Sequence, residues 1–246
     1  MRTHEDPPLP RTTAAENAPS IPRHLGIILD GNRRWARRHG LPTIRDGHCA
    51  GFGKIPDVLT WCEELGIEIV TLWMLSDDNI ARRSAAELQD LYAIDEDVIS
   101  KLITAGRWRL HHIGRTDLLP GRLVALLHAA DLATRDNEGM LVNLALAYGG
   151  RSDILTALQS VLRDAQADRS VQVTEEQIAR RLSTAGQPDP DLVIRPSGEL
   201  RTSGFLLWQA ALTELYFCDR LWPDFTRADL LDAVRAYGRR QRRFGA

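Results

Sequence analysis

Lysine is almost missing from this sequence of 246 residues: of its 31 basic residues only Lys54 and Lys101 are lysine, and the rest are arginine. Cysteine is scarce as well. Cys49, Cys62 and Cys218 are odd in number and unpatterned, which excludes a disulfide framework and offers no zinc-ligand spacing. Neither sign of charge is in surplus. Lys plus Arg number 31 against 33 Asp plus Glu, a net charge of −2, which argues against a protein that coats nucleic acid. No apolar run approaches the ~18–20 residues of a membrane span. The N-terminus lacks the charged-then-apolar pattern of a secretory signal. These absences imply a soluble, cytoplasmic chain with no nucleic-acid partner and no transmembrane segment.

What is present supports a sizeable core, since 43% of the residues are apolar. The arginine bias has two readings. A GC-rich coding sequence produces it without any functional reason; alternatively, the guanidinium fork is wanted because it grips phosphate as an ammonium cannot.

Residues 1–22 hold five of the twelve prolines among Thr, Ala and acids. That composition predicts a disordered tail, with order beginning near His24. Apolar, β-branched runs predict strands at 25–29, 67–75, 109–113, 140–146, 192–194 and 205–208. Between them, helical periodicity appears at 33–39, 50–65, 85–102, 120–134, 151–165, 174–183 and from 227 onward. Strand–helix alternation with short links implies an α/β fold: one domain over residues 23–246, with a mostly parallel central β-sheet surrounded by helices. In such sheets ligands bind beyond the carboxyl ends of the strands.

Two polar constellations sit at such ends. Asp30-Gly31-Asn32-Arg33-Arg34-Trp35 follows the first strand. Gly31 lets backbone approach a ligand, helix-start N–H groups favour an anion, and Arg33 and Arg34 add full charges. Asp30 among them suits a magnesium ion bridging to phosphate oxygens. The competing reading is an ordinary helix cap followed by a solvated basic face. Arg195-Pro196-Ser197-Gly198-Glu199-Leu200-Arg201-Thr202-Ser203 follows another buried strand and makes a fork-and-hydroxyl cradle for an oxyanion, or else an exposed polar turn. Neither is a Walker loop or a G-x-G-x-x-G, so a nucleotide is not favoured. Two cradles suggest two phosphorylated substrates, or one long one.

The segment from His24 through Asp30-Gly31-Asn32-Arg33-Arg34-Trp35-Ala36 resembles the signature of cis-prenyltransferases, the undecaprenyl diphosphate synthase family. The resemblance continues through Gly47-His48-Cys49-Ala50-Gly51, Ser76 to Asn79, Tyr148-Gly149-Gly150-Arg151, Asp191 to Ser203, Glu214-Leu215-Tyr216-Phe217 and Arg242-Arg243-Phe244-Gly245. It covers nearly all of 23–245 in order.

The resemblance implies condensation of isopentenyl diphosphate with an allylic diphosphate (dimethylallyl, geranyl or farnesyl), forming a Z double bond, with an apolar tunnel for the product. It implies that Asp30 holds Mg2+ on the allylic diphosphate. Gly31, Asn32, Arg33 and Arg34 would cradle that diphosphate, with His48 as a further donor or merely a helix cap. Trp35 closes the segment, chiefly as a packing residue. Ser76, Asp77, Asp78 and Arg82 fall on substrate-binding positions, although an inserted residue leaves Arg82 and Arg83 as alternatives. Asn79 matches the asparagine associated with proton removal; an amide is a poor base, so it is read as positioning a water or a diphosphate oxygen. Arg195, Arg201, Thr202 and Ser203 would bind isopentenyl diphosphate. Glu214 matches a second magnesium carboxylate that acts near the partner subunit's site in a homodimer, or is a surface carboxylate. Arg243 and Gly245 match a C-terminal R-x-G element that crosses the dimer. Product release implies peripheral contact with a membrane.

Several positions depart from the family pattern. Its usual Ser-Thr-Glu-Asn-Trp is Ser76-Asp77-Asp78-Asn79-Ile80, and Pro196 and Leu212 replace a threonine and a common tyrosine. Tyr92 and Trp73 are large enough to close the tunnel early. With the lead-in Ala185 to Pro190, the chain resembles short-chain actinobacterial (Z)-farnesyl diphosphate synthases, and a short, farnesyl-sized product is expected. The alternatives are irregular coupling, cyclisation or small-molecule prenylation on the same fold, and a non-catalytic prenyltransferase subunit.

Overall fold

The computed structural model describes residues 20–168 and 172–239. Most of the expected tail, at 1–19, therefore lies outside the described residues, as do Arg243 and Gly245.

Six strands form one sheet in which every pairing is parallel. They are β1 (His24–Ile28), β2 (Ile69–Ser76), β3 (Arg109–Ile113), β4 (Leu141–Tyr148), β5 (Leu192–Arg195) and β6 (Glu214–Phe217), in the order β3-β4-β2-β1-β5-β6. Strands in such a sheet are covered on both faces and read as continuous apolar runs rather than alternating ones. β1 and β5 are buried along their whole length. The chain leaves β1 toward β2 on one side and later returns to β5 on the other. That reversal makes the carboxyl ends of β1 and β5 the topological switch point, where an open α/β sheet leaves a crevice.

Helices α1 (Asn32–Arg38), α2 (Ile44–Gly53) and α3 (Ile55–Glu64) link β1 to β2. α4 (Asp77–Arg82) and the long α5 (Ala85–Ala105) follow β2. α6 (Gly121–Thr134) joins β3 to β4, and α7 (Gly150–Ala167) and α8 (Glu175–Ala179) precede β5. α9 (Arg227–Arg239) ends the described chain. The larger core packs Leu25, Ile27, Leu72 and Met74 of the sheet against Val58 and Leu59 of α3, Leu91 and Ile99 of α5, and Leu230 of α9. The other sheet face carries a smaller cluster of Ile28, Ala145, Val193, Phe205 and Leu206, with Trp73 packed on it.

Four expectations need correction. The helix expected at 50–65 is two helices divided at Lys54, and Pro56 sits in the first turn of the second, where its missing N–H is harmless. The helix expected at 174–183 covers only Glu175–Ala179. β2 runs straight into α4, which was not foreseen; Ser76 Oγ caps it by accepting from Asn79 N–H at 3.0 Å. The apolar run at 205–208 is a compact turn instead of a strand, and the sheet edge is β6. Leu206 there has φ of 45°. That strain costs about 1–2 kcal/mol, less than the ~1.5–3 kcal/mol gained for each of the fully buried Phe205 and Leu206.

Candidate active site

Asp30 is the second residue beyond β1, and one of its oxygens organises the crevice. Asp30 Oδ2 accepts from Arg195 Nη2 at 2.8 Å and from Ser197 Oγ at 2.8 Å, and Arg34 Nη2 stands 3.5 Å away. Burial pushes the carboxyl toward protonation. The hydrogen bonds from Arg195 and Ser197 and the charges of Arg195 and Arg34 outweigh it, so its pKa lies below the ordinary carboxylate value. These contacts all use Oδ2; none uses Oδ1.

The two constellations are thus one site. Arg195 ends β5, is buried, and donates through Nη1 to Ser203 Oγ at 2.9 Å and to the Arg201 carbonyl. Arg34 Nη1 donates to the Ser197 carbonyl at 2.9 Å, tying the first segment to the second. The turn that presents these groups needs left-handed backbone at Ser197, Gly198 and Ser203. Gly31, at φ 114°, takes a backbone conformation that strains any side-chain-bearing residue, and a Cβ there would press on Leu221 at 3.0–3.1 Å.

The helices supply a third group of residues. His48 lies in the middle of α2, whose cap is Thr43, so His48 is not a helix cap. Its buried ring has Nε2 3.4 Å from Arg83 Nη1. Burial, then the neighbouring Arg83 and Arg33, push the imidazole down to about 4. Arg83, rather than Arg82, is the arginine drawn inward: side-chain exposure is 15% for Arg83 and 79% for Arg82.

A cavity of about 910 Å³ joins these parts at the carboxyl ends of the strands. Its walls include Asp30, Asn32, Arg33, His48, Ser76, Asp77, Asp78, Asn79, Arg82, Arg195, Arg201 and Ser203, all expected from sequence. An adjoining cavity of about 400 Å³ reaches Gly31, Arg34 and Arg37. The apolar lining of the larger cavity includes the core residues Phe52, Met74 and Leu91. Tyr92 is half-buried against the core and does not line the cavity, one helical position away from Leu91. Trp73 touches the cavity, but it stacks on Phe205 at 5.1 Å on the other side of the sheet from Leu91.

Other expected residues stand apart. Trp35 donates through Nε1 to Asp224 Oδ1 at 2.7 Å, and neither Trp35 nor Thr202 is in either cavity wall. Glu214 begins β6 and pairs with Leu192, at the amino end of the sheet, while Asp30 and Arg195 lie beyond its carboxyl end. Asp77, though in the cavity wall, is engaged within the chain: its Oδ2 accepts from Ser152 Oγ at 2.7 Å. Arg83, expected as an alternative to Arg82, lines the cavity, and Arg151 and Arg37 line the cavities without having been singled out. Arg151 follows Gly149-Gly150 after β4, a strand-end position that could have marked it.

Residues 28–245 match the family described as putative undecaprenyl diphosphate synthase. The chain belongs to that family. It is therefore an enzyme, a cis-prenyltransferase, and the family in general requires a divalent metal. A protein named (2Z,6E)-farnesyl diphosphate synthase, from Thermobifida fusca, is 48% identical over 238 residues, covering 94% of this chain and 92% of its own. Isoprenyl transferase 1 of Streptomyces avermitilis is 47% identical over 231 residues, with 92% and 89% covered. The crystal structure of lavandulyl diphosphate synthase from Lavandula x intermedia, in complex with dimethylallyl diphosphate, superposes with a TM-score of 0.86 at 36% identity, covering 92% of this chain and 99% of that one. A probable undecaprenyl diphosphate synthase from Campylobacter jejuni shares the fold, with a TM-score of 0.76 at 24% identity over 92% of this chain and 100% of that one. Among the described residues, no helix is long and apolar enough to cross a membrane.

Proposed function

We propose that this prenyltransferase condenses isopentenyl diphosphate with a short allylic diphosphate to give a short-chain, Z-configured prenyl diphosphate. The observation that carries the reading is the Asp30–Arg195 hydrogen bond, which joins two phosphate-binding segments at the mouth of one partly apolar cavity. The allylic diphosphate takes the side of Arg33, His48 and Arg83, with its hydrocarbon toward Met74 and Leu91. Isopentenyl diphosphate takes the side of Arg195, Arg201 and Ser203. The allylic C1–O bond breaks, a C–C bond forms between that carbon and the terminal methylene of isopentenyl diphosphate, and a proton leaves its C2. Pyrophosphate, the lengthened prenyl diphosphate and the proton are the products. The arginines hold the leaving diphosphate as its charge grows. Asn79, on the cavity wall, orients the water or diphosphate oxygen that accepts the proton.

The metal in this reading is Mg2+, held by Asp30. Oxygen donors suit a hard cation, and the Oδ1 side of Asp30 makes none of the contacts that engage Oδ2. Among the described residues no three His, Cys, Asp or Glu side chains gather as a metal cage, so Asp30 would hold the ion with help from ligands outside this set. When bound, the ion neutralises charge on the departing diphosphate.

The active form in this reading is a homodimer. Leu155 and Leu162 of α7 and Leu207 and Leu212 before β6 are exposed, and α7 joins the 204–213 segment through Gly150 N–H to the Gly204 carbonyl. Glu214 and the R-x-G element, Arg243 and Gly245, would then serve the partner subunit's site. We also infer a cytoplasmic location, with peripheral membrane contact at product release. The names of the relatives near half identity favour regular chain elongation over irregular coupling. The presence of Asp30, Arg195 and Arg201 around the cavity favours an active subunit over a silent one.

Steady-state kinetics on the two sides tests the assignment. Arg33→Ala should raise KM for the allylic substrate, and Arg201→Ala should raise KM for isopentenyl diphosphate. An effect of both variants on the same substrate would refute it.

A further inference from the structure

Glu87 is the third residue of α5, and its backbone N–H donates to Ser84 Oγ at 3.3 Å. Ser84-Ala85-Ala86-Glu87 has the form of a capping box, in which the glutamate would reach back to the backbone N–H of the cap. In α2 the equivalent pair, Thr43 and Asp46, closes both halves of such a box. In α5 only the serine half is made.

The Glu87 carboxylate turns elsewhere. Its Oε1 accepts from Arg83 Nη1 at 3.0 Å, and the same oxygen lies 3.7 Å from Arg33 Nε and 3.8 Å from His48 Nε2. Those three side chains come from three separate elements and all line the cavities, while Glu87 stands behind them, outside the cavity wall. It is mostly buried, at 18% side-chain exposure. The remaining carboxylate that acts on Arg83 is Asp95, which is fully buried with neither oxygen hydrogen-bonded. Burial drives Asp95 toward its neutral form. Glu87 is thus the anion that balances the two arginines, Arg33 and Arg83, with the neutral His48 ring beside them.

We propose that Glu87 is an internal counter-ion of the cradle, standing in for a phosphate oxygen among Arg33, His48 and Arg83 and thereby weakening their hold on a bound diphosphate. The proposal rests on reading that cradle as the allylic-diphosphate side. Without an anion, the charge of Arg33 acts unopposed on the mostly buried Arg83, which favours capture of a ligand anion. An internal carboxylate relieves that repulsion in the empty enzyme. It also lowers the positive potential that a departing pyrophosphate must escape. Glu87 is a positioning and charge-tuning residue, since its effect reaches the ligand through the cations.

The test is inhibition of the full-length enzyme by inorganic pyrophosphate, with steady-state constants for both substrates. Glu87→Gln should strengthen pyrophosphate inhibition about tenfold, as expected when a single opposing charge near a cationic site is removed. KM for the allylic substrate should fall together with kcat, because release of diphosphate slows, while KM for isopentenyl diphosphate stays within about twofold. Glu87→Asp, which draws the carboxylate back by one methylene, should fall between wild type and Glu87→Gln, and it carries the test if the glutamine variant does not fold. A merely structural role would weaken inhibition or leave it unchanged, and either result in a folded variant overturns the proposal. Arg33→Ala separates this failure from a failure of the cradle assignment. If Arg33→Ala weakens inhibition and the Glu87 variants do not strengthen it, Glu87 is wrong; if Arg33→Ala changes nothing, the cradle itself is wrong.

Discussion

Arg195 and Asp30 are 165 positions apart in the chain and meet through a 2.8 Å hydrogen bond from Nη2 to Oδ2. The bond spans the gap between neighbouring strands β1 and β5 at the point where the sheet order reverses. It keeps a buried guanidinium paired and fixes which oxygen of Asp30 is engaged. The opposite oxygen takes part in none of these contacts.

Asp30→Asn preserves the shape of this junction but removes the charge. Turnover should fall about 100- to 1,000-fold, the size seen when one preorganised electrostatic contact to developing charge is lost. The folded state should persist, because the amide oxygen can still accept from Arg195. Single-turnover kinetics at saturating magnesium, together with a thermal melt, checks both halves.

Product length is expected to depend on Met74 and Leu91, core residues in the apolar lining of the cavity. Met74→Ala or Leu91→Ala should shift products to chains at least one isoprene unit longer, at a stability cost of about 2–5 kcal/mol. Tyr92→Ala should leave the product unchanged. Chromatographic sizing of the dephosphorylated products distinguishes them, and lengthening by Tyr92→Ala alone would contradict this geometry.

Gly149→Ala should be damaging out of proportion to one methyl group. A Cβ at position 149 would stand 2.4 Å from the Asp77 carboxylate, which Ser152 holds in place. Overpacking of this kind destabilises by about 1–3 kcal/mol. It would also displace α4, which carries Asn79, so kcat should drop as well. Denaturant melts of Gly149→Ala, and of Gly149→Ala combined with Asp77→Ser, test the cause: the double variant should recover much of the loss.

The buried His48 makes stability depend on pH. Its pKa is about 4 in the folded chain against the ordinary 6.5, so the unfolded chain takes the proton first. The contribution is fully present above pH 6.5 and is lost as pH falls toward 4. It amounts to roughly 3 kcal/mol. His24 and His112 are shifted the same way by burial, so acid destabilisation is shared. His48→Gln should flatten part of the slope between pH 6.5 and 4 in urea titrations.

Much of this architecture was legible because parallel strands are buried on both faces. β1, β2 and β4 appear as mostly apolar runs, interrupted only by polar residues such as Thr71 and Asn143, and β1 ends just before Asp30-Gly31-Asn32. The run at 205–208 misled for the same reason. Phe205 and Leu206 need burial, but a turn over the second core buries them as completely as a strand would. Asp30, Arg195 and Ser203 were readable from their positions after strands. The inward turn of Arg83 was not, because it depends on how α4 hands over to α5 beside His48, a contact between distant segments. Glu87 was hidden by its resemblance to half of a capping box. Glu214 cannot join Asp30 within one chain, since they lie at opposite ends of the sheet.

The most direct test of the central claim is product analysis of the full-length enzyme with geranyl diphosphate and magnesium, with and without labelled isopentenyl diphosphate. The account predicts a labelled, farnesyl-sized product with a new Z double bond, formed only when isopentenyl diphosphate is present. Turnover without isopentenyl diphosphate, or accumulation of a long-chain polyprenyl product, would contradict it.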